Sequence, residues 1–291
     1  SVQAAHALVL ATAEGYRVPT EALTMALQFL ADVEAYIPSE WGETQRDTVR
    51  AYALWVRDLA GSGDTAKAVQ FYREHEEHLG VDALAWLWTA THDPGIAAAI
   101  ERTLGNRVVE TAGAANFTTD YSDGAYMVMH SDRRSDGIVL DALITNNPDS
   151  DLIAKVVNGL LANKVKGRWD SVQENAFILL ALKHYFDVYE AATPDFLARV
   201  WLGERFAGEH DFSGRGTESS RLSIPMVDVV AAGDTDLVLS KSGSGRMYYR
   251  IAMRYAPDDL EVEALDRGFV VQRVYEAVDD PDDVRLDDDG V

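Results

Sequence analysis

The stretch DTVRAYALWVRDLAGSGD, residues 47–64, predicts the fold class of this chain. Its apolar side chains recur at helical spacing, so Tyr52, Trp55 and Leu59 share one face of a helix. The Gly-Ser-Gly segment that follows ends this helix, and Asp64 can cap the next one. Because so short a connection makes two helices run antiparallel, the stretch predicts a helical hairpin.

The same pattern of apolar stripe and stop signal recurs over the first two thirds of the chain. It predicts about nine helices, beginning near residues 2, 20, 47, 64, 82, 94, 136, 149 and 171. Helices rich in alanine and aromatic residues alternate with helices that have one charged face, which predicts an inner and an outer set. Stacked hairpins of this kind can open into a solenoid or close into a ring, and we predict an incomplete (α/α) toroid. The predicted helix starts are a Thr20 cap, Asp93 before Pro94, and a capping box of Asp170 and Gln173.

The interval 107–135 interrupts the helical pattern. It contains two glycines and an apolar run at 126–129 that predicts a short strand. Asp136, which follows, has the character of a helix N-cap. Long insertions in a compact domain are often functional, so this interval is a candidate site region.

After Pro194 the apolar spacing changes to every second residue, which predicts antiparallel β-structure. Strands are predicted at 196–202, around 222–224 and 237–239, and most clearly at 247–255, entered through a turn at 242–245. The predicted fold class is therefore α+β, with an incomplete toroid followed by β-sandwich-type segments. The predicted domains are 1–192 (helical), 193–256 (β) and 257–291 (the truncated beginning of a further β-domain).

Composition excludes several function classes. Lys plus Arg number 26 and Asp plus Glu number 48, giving a net charge of −22 that repels nucleic acid and anionic lipid. The absence of cysteine excludes disulfides, thiolate metal sites and a cysteine nucleophile in this chain. The sequence starts at Ser1, with neither an initiator methionine nor the pattern of a signal peptide, so we expect this chain to be a segment of a longer protein.

Motifs for catalysis and cofactor binding are missing from the sequence. It has no Gly-x-Ser-x-Gly elbow, no P-loop and no dinucleotide-binding glycine run. The cluster His75-Glu76-Glu77-His78 could contribute to a metal site only if another ligand came from elsewhere, and it lacks the i, i+4 spacing of helical zinc proteases. We expect it to be the solvated face of an outer helix, and we predict no catalytic residues, no metal and no cofactor.

A carbohydrate-active enzyme is the alternative prediction, because (α/α) toroids can host glycosidases and lyases. Such enzymes need paired carboxylates in a cleft. The best candidates near the 107–135 interval are Asp120, Asp123, Asp132 and Asp136. Three tryptophans that could stack on sugars lie instead on predicted core stripes, namely Trp55, Trp86 and Trp88. A helical-repeat binding module is a third possibility.

Several segments resemble one family. The run GRWDSVQENA at 167–176 resembles the late toroid helix of the bacterial alpha-2-macroglobulin family, with Val172 where threonine is common. The segments 193–203 and 241–250 resemble its CUB-type β-domain, and 266–275 resembles the opening of its C-terminal macroglobulin-like domain. The resemblance covers nearly the whole chain in order.

The resemblance implies a non-enzymatic fragment of a protease trap that scaffolds and shields an internal thioester. The thioester joins the Cys and Gln of a Cys-x-x-Gln motif, which lies outside this chain or is absent. The resemblance implies as partners the target proteases and other domains of the same macroglobulin chain, with no nucleic acid or membrane contact by this segment, and it implies a periplasmic location. We place Tyr121, His130 and Trp169 as neighbours of the thioester pocket.

Overall fold

The computed structural model describes residues 1–118, 122–216 and 219–255, and of residues 122 and 123 only the backbone. The chain divides into two compact units, Ser1–Arg250 and Ile251–Val291, and every helix and strand below lies in the first. The predicted third domain, 257–291, lies outside the described residues. Within those residues, no helix is both long and apolar enough to cross a bilayer.

Helices form the larger part of the first unit, at the positions that the apolar periodicity predicts. They are α1 Val2–Ala13, α2 Thr20–Ala31, α3 Glu43–Leu59, α4 Thr65–His75, α5 Val81–Ala90, α6 Pro94–Arg107, α7 Asp132–Asn146, α8 Leu152–Ala162 and α9 Val172–Tyr185. A π-helical turn, Phe186–Glu190, extends α9. The nine predicted helices are therefore present.

Helix starts differ from prediction where another residue makes the capping hydrogen bond. Asp64 and Asp93 cap α4 and α6 as predicted. Helix α7 begins earlier than predicted, because the Ser131 hydroxyl accepts from the Arg134 amide, so the N-cap prediction for Asp136 is wrong. The capping box of α9 consists of Ser171 and Glu174, one residue beyond the predicted pair. Helix α3 begins four residues earlier than predicted, and α2 begins at Thr20 without a side-chain cap.

The helices fall into an inner and an outer set, as their composition predicts. The odd-numbered helices contact one another in sequence order. Helices α2 and α4 each pack on both odd-numbered neighbours, α6 packs on α5, and α8 packs on α7. Gly137 of α7 permits a close approach within the inner set, because a Cβ there would meet the Ile178 amide nitrogen of α9 at 3.0 Å. The first and last inner helices also touch, since the Gln173 side chain donates to Gln3 Oε1 at 2.9 Å.

Aromatic side chains from four inner helices fill the core between them. Tyr52 stacks on Trp86 with ring centroids 4.3 Å apart, and Phe177 packs against both rings. His6 of α1 packs edge-on against Trp55 and is bonded to the Tyr52 hydroxyl at 2.8 Å. The expectation that the tryptophans of α3 and α5 belong to the core is confirmed, since Trp55, Trp86 and Trp88 are all buried.

The interval 107–135 contains structure that the periodicity does not predict. A two-stranded hairpin pairs β1 Val108–Glu110 with β2 Ala115–Phe117, and β2 packs against α8. The predicted strand at 126–129 is wrong: Ser122–Val128 is a 3₁₀ turn. No neighbouring strand is paired with it in the described residues, and an unpaired apolar run is not stable as a strand.

A three-stranded antiparallel sheet follows the helices. Its order is β4-β3-β5, with β3 Asp195–Leu202 in the centre, β4 Arg205–Ser213 and β5 Leu237–Ser244. The predicted strands at 196–202 and 237–239 are confirmed, whereas β4 is not among the predicted strands. A short helix, α10 Met226–Ala232, precedes β5.

Three β-predictions after residue 220 are wrong. The predicted turn at 242–245 is mostly strand: β5 continues to Ser244 because Gly243, at φ +120°, lets the chain pass Phe196 where a Cβ would collide with backbone. Residues 221–225 and 246–255 form no strand. Of the alternating side chains of 247–255, all but Met247 are exposed, and without a partner strand in the described residues their pattern does not produce a β-strand.

Candidate functional site

A largely apolar groove opens at one end of the inner helices. Its cavity volume is about 360 Å³, and it is lined by the start of α1, the segment between α2 and α3, and the residues just before His130. Side chains that line it include Phe29, Tyr36, Ile37, Trp41, Met127 and Met129. Such a concave apolar surface with few polar groups is typical of binding sites.

The groove lies where the inner helices begin. Gln3, Arg134 and Gln173, from the first turns of α1, α7 and α9, line it together with Tyr52 of α3. Helix α5 is oriented the same way, because Asp82 in its first turn contacts Arg134. Five helix N-termini, each with partial positive charge, therefore lie at this end of the bundle.

A buried charged network lies beneath the groove. Arg134 Nη1 is 2.6 Å from Asp82 Oδ2, and the Ser135 hydroxyl donates to the same carboxylate. The Arg134 guanidinium also lies over the rings of Trp86 and Phe177, 5.6 and 5.0 Å from their centroids. The network connects α5 to α7 and places a shielded cation beside the groove.

Electrostatics keep this carboxylate ionised. Burial alone would raise the pKa of Asp82, but the Arg134 charge and the hydrogen bonds from His130 and Ser135 outweigh it and hold the pKa below the usual range. The imidazole of His6, by contrast, is held in its neutral form, since burial lowers its pKa to about 4. His6 is therefore neutral at pH 7, as a core residue beside Tyr52 should be.

Sequence reasoning missed the Asp82–Arg134 pair. The available signal was Asp82, the lone carboxylate in the apolar run VDALAWLW at 81–88. A carboxylate in a helix that is buried on several sides requires a charged or hydrogen-bonding partner. The partner lies 52 residues away, and nothing local identifies it.

Comparison with known sequences gives curated relatives that match part of this chain. No protein-family description matches the chain. It is 34% identical over 127 residues to an alpha-2-macroglobulin homolog of Nostoc, covering 44% of this chain and 7% of that protein. A circularly permutated Ras protein 2 of Dictyostelium discoideum is 22% identical over 290 residues, 78% of this chain and 7% of that protein. The chain thus spans about 7% of the length of the curated relatives it matches.

Solved structures match the fold. Escherichia coli alpha-2-macroglobulin activated by porcine elastase superposes with a TM-score of 0.56 at 17% identity, covering 83% of this chain and 20% of that one. Salmonella alpha-2-macroglobulin reacted with methylamine gives 0.54 at 18% identity, covering 73% and 13%. The chain is related to the bacterial alpha-2-macroglobulins. The resemblance found in the sequence is thereby confirmed.

The predicted pocket neighbours of this alpha-2-macroglobulin relative occupy different surroundings. His130 directly precedes the cap of α7, and its buried ring lies near Ser135 and Asp82, with Nδ1 3.5 Å from the hydroxyl and 3.9 Å from the carboxylate. Trp169 lies two residues before the Ser171 cap of α9. Its Nε1 donates to the carbonyl of Leu160, on α8, at 2.8 Å. Tyr121 lies outside the described residues. Their role as pocket neighbours stays a prediction.

The carboxylates of the enzyme alternative are not gathered into a cleft within the described part of the chain. Asp136 is fully buried, accepts a hydrogen bond from the Phe117 amide at 2.6 Å and lies 3.1 Å from Arg133. Burial raises its pKa to about 7 despite Arg133. Asp132 is partly exposed, while Asp120 and the side chain of Asp123 lie outside the described residues. Asp136 therefore supports the fold of the insertion and is not open to a substrate.

Proposed function

We propose that this chain is the scaffold of the helical thioester domain in a bacterial alpha-2-macroglobulin-like protease trap. The observation that carries the proposal is the 34% identity to the Nostoc alpha-2-macroglobulin homolog. The chain has no cysteine, so the Cys-x-x-Gln pair is supplied elsewhere in the parent protein or is absent from it. The segment itself is not an enzyme in this proposal.

The helical arrangement fits an (α/α) toroid. Five inner helices contact one another in order, and Gln3 of the first is bonded to Gln173 of the last. Glu14 and Lys183, at the other ends of the same two helices, lie 3.2 Å apart. In this proposal the five inner helices surround the aromatic core and the buried Asp82–Arg134 pair.

The groove is the part that we assign to shielding. A thioester survives only where water and amines are kept away, and a lining dominated by apolar side chains favours that exclusion. Trp41, Met127 and Met129 line the groove, together with the largely buried Arg134. In the parent protein we place the reactive group against this surface, with His130 and Trp169 supporting the loops around it.

The partners in this proposal are proteases and the other domains of the parent protein, and the location is the periplasm. Two observations support the choice of partners. Among the solved relatives, one is activated by elastase and another has reacted with methylamine. The net charge of −22 disfavours nucleic acid and anionic lipid as binding surfaces.

The proposal is tested on the parent protein that contains this chain. After incubation with trypsin, a thioester trap yields a covalent adduct that survives denaturation, and prior methylamine treatment prevents it. Trp41→Ser should open the groove and accelerate spontaneous loss of capture. Tyr16→Ser, at an exposed turn beyond the far end of α1, is the matched control and should have no effect. A parent protein that neither captures nor retains protease, or that turns over a polysaccharide, contradicts the proposal.

A further inference from the structure

A second cluster of polar side chains, none of which lines the groove, lies between α3 and α4. Glu43 and Asp47 are four residues apart on α3 and share one face of that helix, and His75 is the last residue of α4. One ligand atom of each residue lies within 4.8 Å of the others. The two helices are connected by the short turn 60–64 and run antiparallel, so the start of α3 lies beside the end of α4.

The geometry between Asp47 and His75 is unusual for a hydrogen bond. Asp47 Oδ2 and His75 Nδ1 are 2.9 Å apart, yet neither atom makes a hydrogen bond of acceptable geometry within the described residues. The Asp47 side chain is only 2% exposed, so its oxygen has little access to bulk water. Buried polar atoms without a partner are costly, and such a pair points to a missing ligand.

The spacing fits a shared cation. Metal–nitrogen and metal–oxygen bonds of about 2.0–2.2 Å would place an ion between atoms 2.9 Å apart with a ligand–metal–ligand angle of about 90°. Glu43 Oε1 is 3.8 Å from the same imidazole nitrogen, on a side chain that is 64% exposed and can move inward. One imidazole and two carboxylates form a donor set that suits zinc and its first-row neighbours.

We propose that Glu43, Asp47 and His75 bind a divalent transition-metal ion, with Zn²⁺ as the preferred ion. Binding forms bonds from the metal to Nδ1 and to one oxygen of each carboxylate, and solvent takes the remaining coordination position. Metal binding at Nδ1 requires the ring proton to be on Nε2: a neutral ring protonated on Nδ1 transfers that proton to Nε2 through solvent, and a doubly protonated ring releases one proton to solvent. The ion links the start of α3 to the end of α4, independently of thioester chemistry.

Arg50 is the neighbouring charge that opposes binding. Its Nη1 lies 3.4 Å from His75 Nε2 and 3.3 Å from Asp47 Oδ1. When His75 binds a metal through Nδ1, its Nε2 carries a proton, and this N–H group repels the Arg50 guanidinium. Arg50 can withdraw because it is also paired with Glu34 at 2.7 Å, and a cavity of about 220 Å³ lies beside it. The site is therefore predicted to bind the metal ion more tightly when the Arg50 charge is removed.

The local sequence pattern identifies only part of this cluster. It places His75 on a solvated face together with His78, but the His75 side chain is only 16% exposed and faces α3. His78 is exposed, as expected. The two carboxylates come from more than 25 residues earlier in the chain, so their contribution depends on the hairpin between α3 and α4.

The test is a calorimetric titration of the complete chain with ZnCl₂, with thermal unfolding measured in parallel. We expect one ion per chain and a melting temperature that rises with Zn²⁺ concentration. Glu43→Gln and His75→Ala should each weaken binding by at least about tenfold. Arg50→Met should strengthen it, because a positive charge near the ion is removed.

Matched histidine controls separate this site from adventitious binding. His78→Ala removes the exposed neighbour, and His92→Gln removes a histidine that pairs with Asp58 at 2.8 Å and belongs to no three-residue ligand cluster in the described residues. Both should bind Zn²⁺ as the unmodified chain does. Circular dichroism establishes that each variant is folded. If His75→Ala does not fold, Glu43→Gln still tests the site, because the Glu43 side chain is exposed. The proposal is overturned if the unmodified chain does not bind, or if Glu43→Gln and the controls bind equally.

Discussion

The Nη1 atom of Arg134 lies 2.6 Å from the Oδ2 atom of Asp82, and both side chains are buried between α5 and α7. Removing one partner leaves the other charge in an apolar core, which costs about 3–5 kcal/mol. Asp82→Asn should therefore lower the free energy of unfolding, measured by urea denaturation at pH 7, by about that amount. The control is Asp187→Asn, in an exposed pair with Lys183, which should leave stability essentially unchanged. Equal effects of the two variants would contradict the assigned role of the buried pair.

Asp136 should make stability fall as pH rises. Burial raises the pKa of its carboxyl to about 7, so between about pH 4 and pH 7 the folded chain keeps a proton that the unfolded chain has lost. The contribution of Asp136 is complete below pH 4 and is lost by pH 7. The measured quantity is the difference in free energy of unfolding between the unmodified chain and Asp136→Asn. As pH rises from about 4 to 7, the unmodified chain should lose stability relative to Asp136→Asn. A difference that does not change with pH would show that Asp136 is not held protonated.

His6 should have the opposite pH dependence. Burial lowers the pKa of its imidazole to about 4, whereas an unfolded histidine titrates near 6.5. Stability from neutral His6 is present above pH 6.5 and is lost as pH falls toward 4, because only the unfolded chain gains the proton. His6→Phe should reduce this slope in urea denaturation, at the cost of the bond to Tyr52. An unchanged slope would mean that His6 is accessible to protons in the folded chain.

Gly159 should tolerate no side chain, because α8 packs closely against β2. A Cβ at this position would lie 2.4 Å from the Ala115 carbonyl oxygen, so Gly159→Ala must displace the hairpin and should cost about 1–3 kcal/mol. Gly105, in the exposed part of α6, has no atom within 4 Å of the position that a Cβ would take, and Gly105→Ala should stabilise by about 0.5–1 kcal/mol. Thermal unfolding of both variants measures the contrast. A neutral Gly159→Ala would show that the hairpin is not fixed against α8.

The success of the sequence predictions follows the range of the interactions involved. Helix α2 is specified by its apolar spacing and helix α6 by its apolar spacing and the Asp93 cap, so the positions of both were predictable. Strand β4 and the hairpin of β1 and β2 depend on partners that local periodicity does not identify, and they were missed. The alternating run at 247–255 shows the reverse case, in which a strand pattern has no described partner.

The site residues follow the same rule. Tryptophan burial was predictable from the helix faces, whereas the pairing of Asp82 with Arg134 and of Asp47 with His75 joins residues that are distant in sequence. The caps Asp64 and Asp93 were predicted correctly, whereas the predictions for α2, α7 and α9 were wrong, because several hydroxyl and carboxylate side chains compete near a helix start. The tertiary structure decides which of them makes the bond.

The central claim, a part in a protease trap, is tested most directly by size-selective inhibition. Trypsin is mixed with the parent protein, and its activity is measured on a small chromogenic peptide and on a large protein substrate. We expect cleavage of the peptide to persist while cleavage of the protein is lost, because an enclosed protease remains active toward substrates that can diffuse in. Undiminished cleavage of the large substrate at excess parent protein would contradict the account.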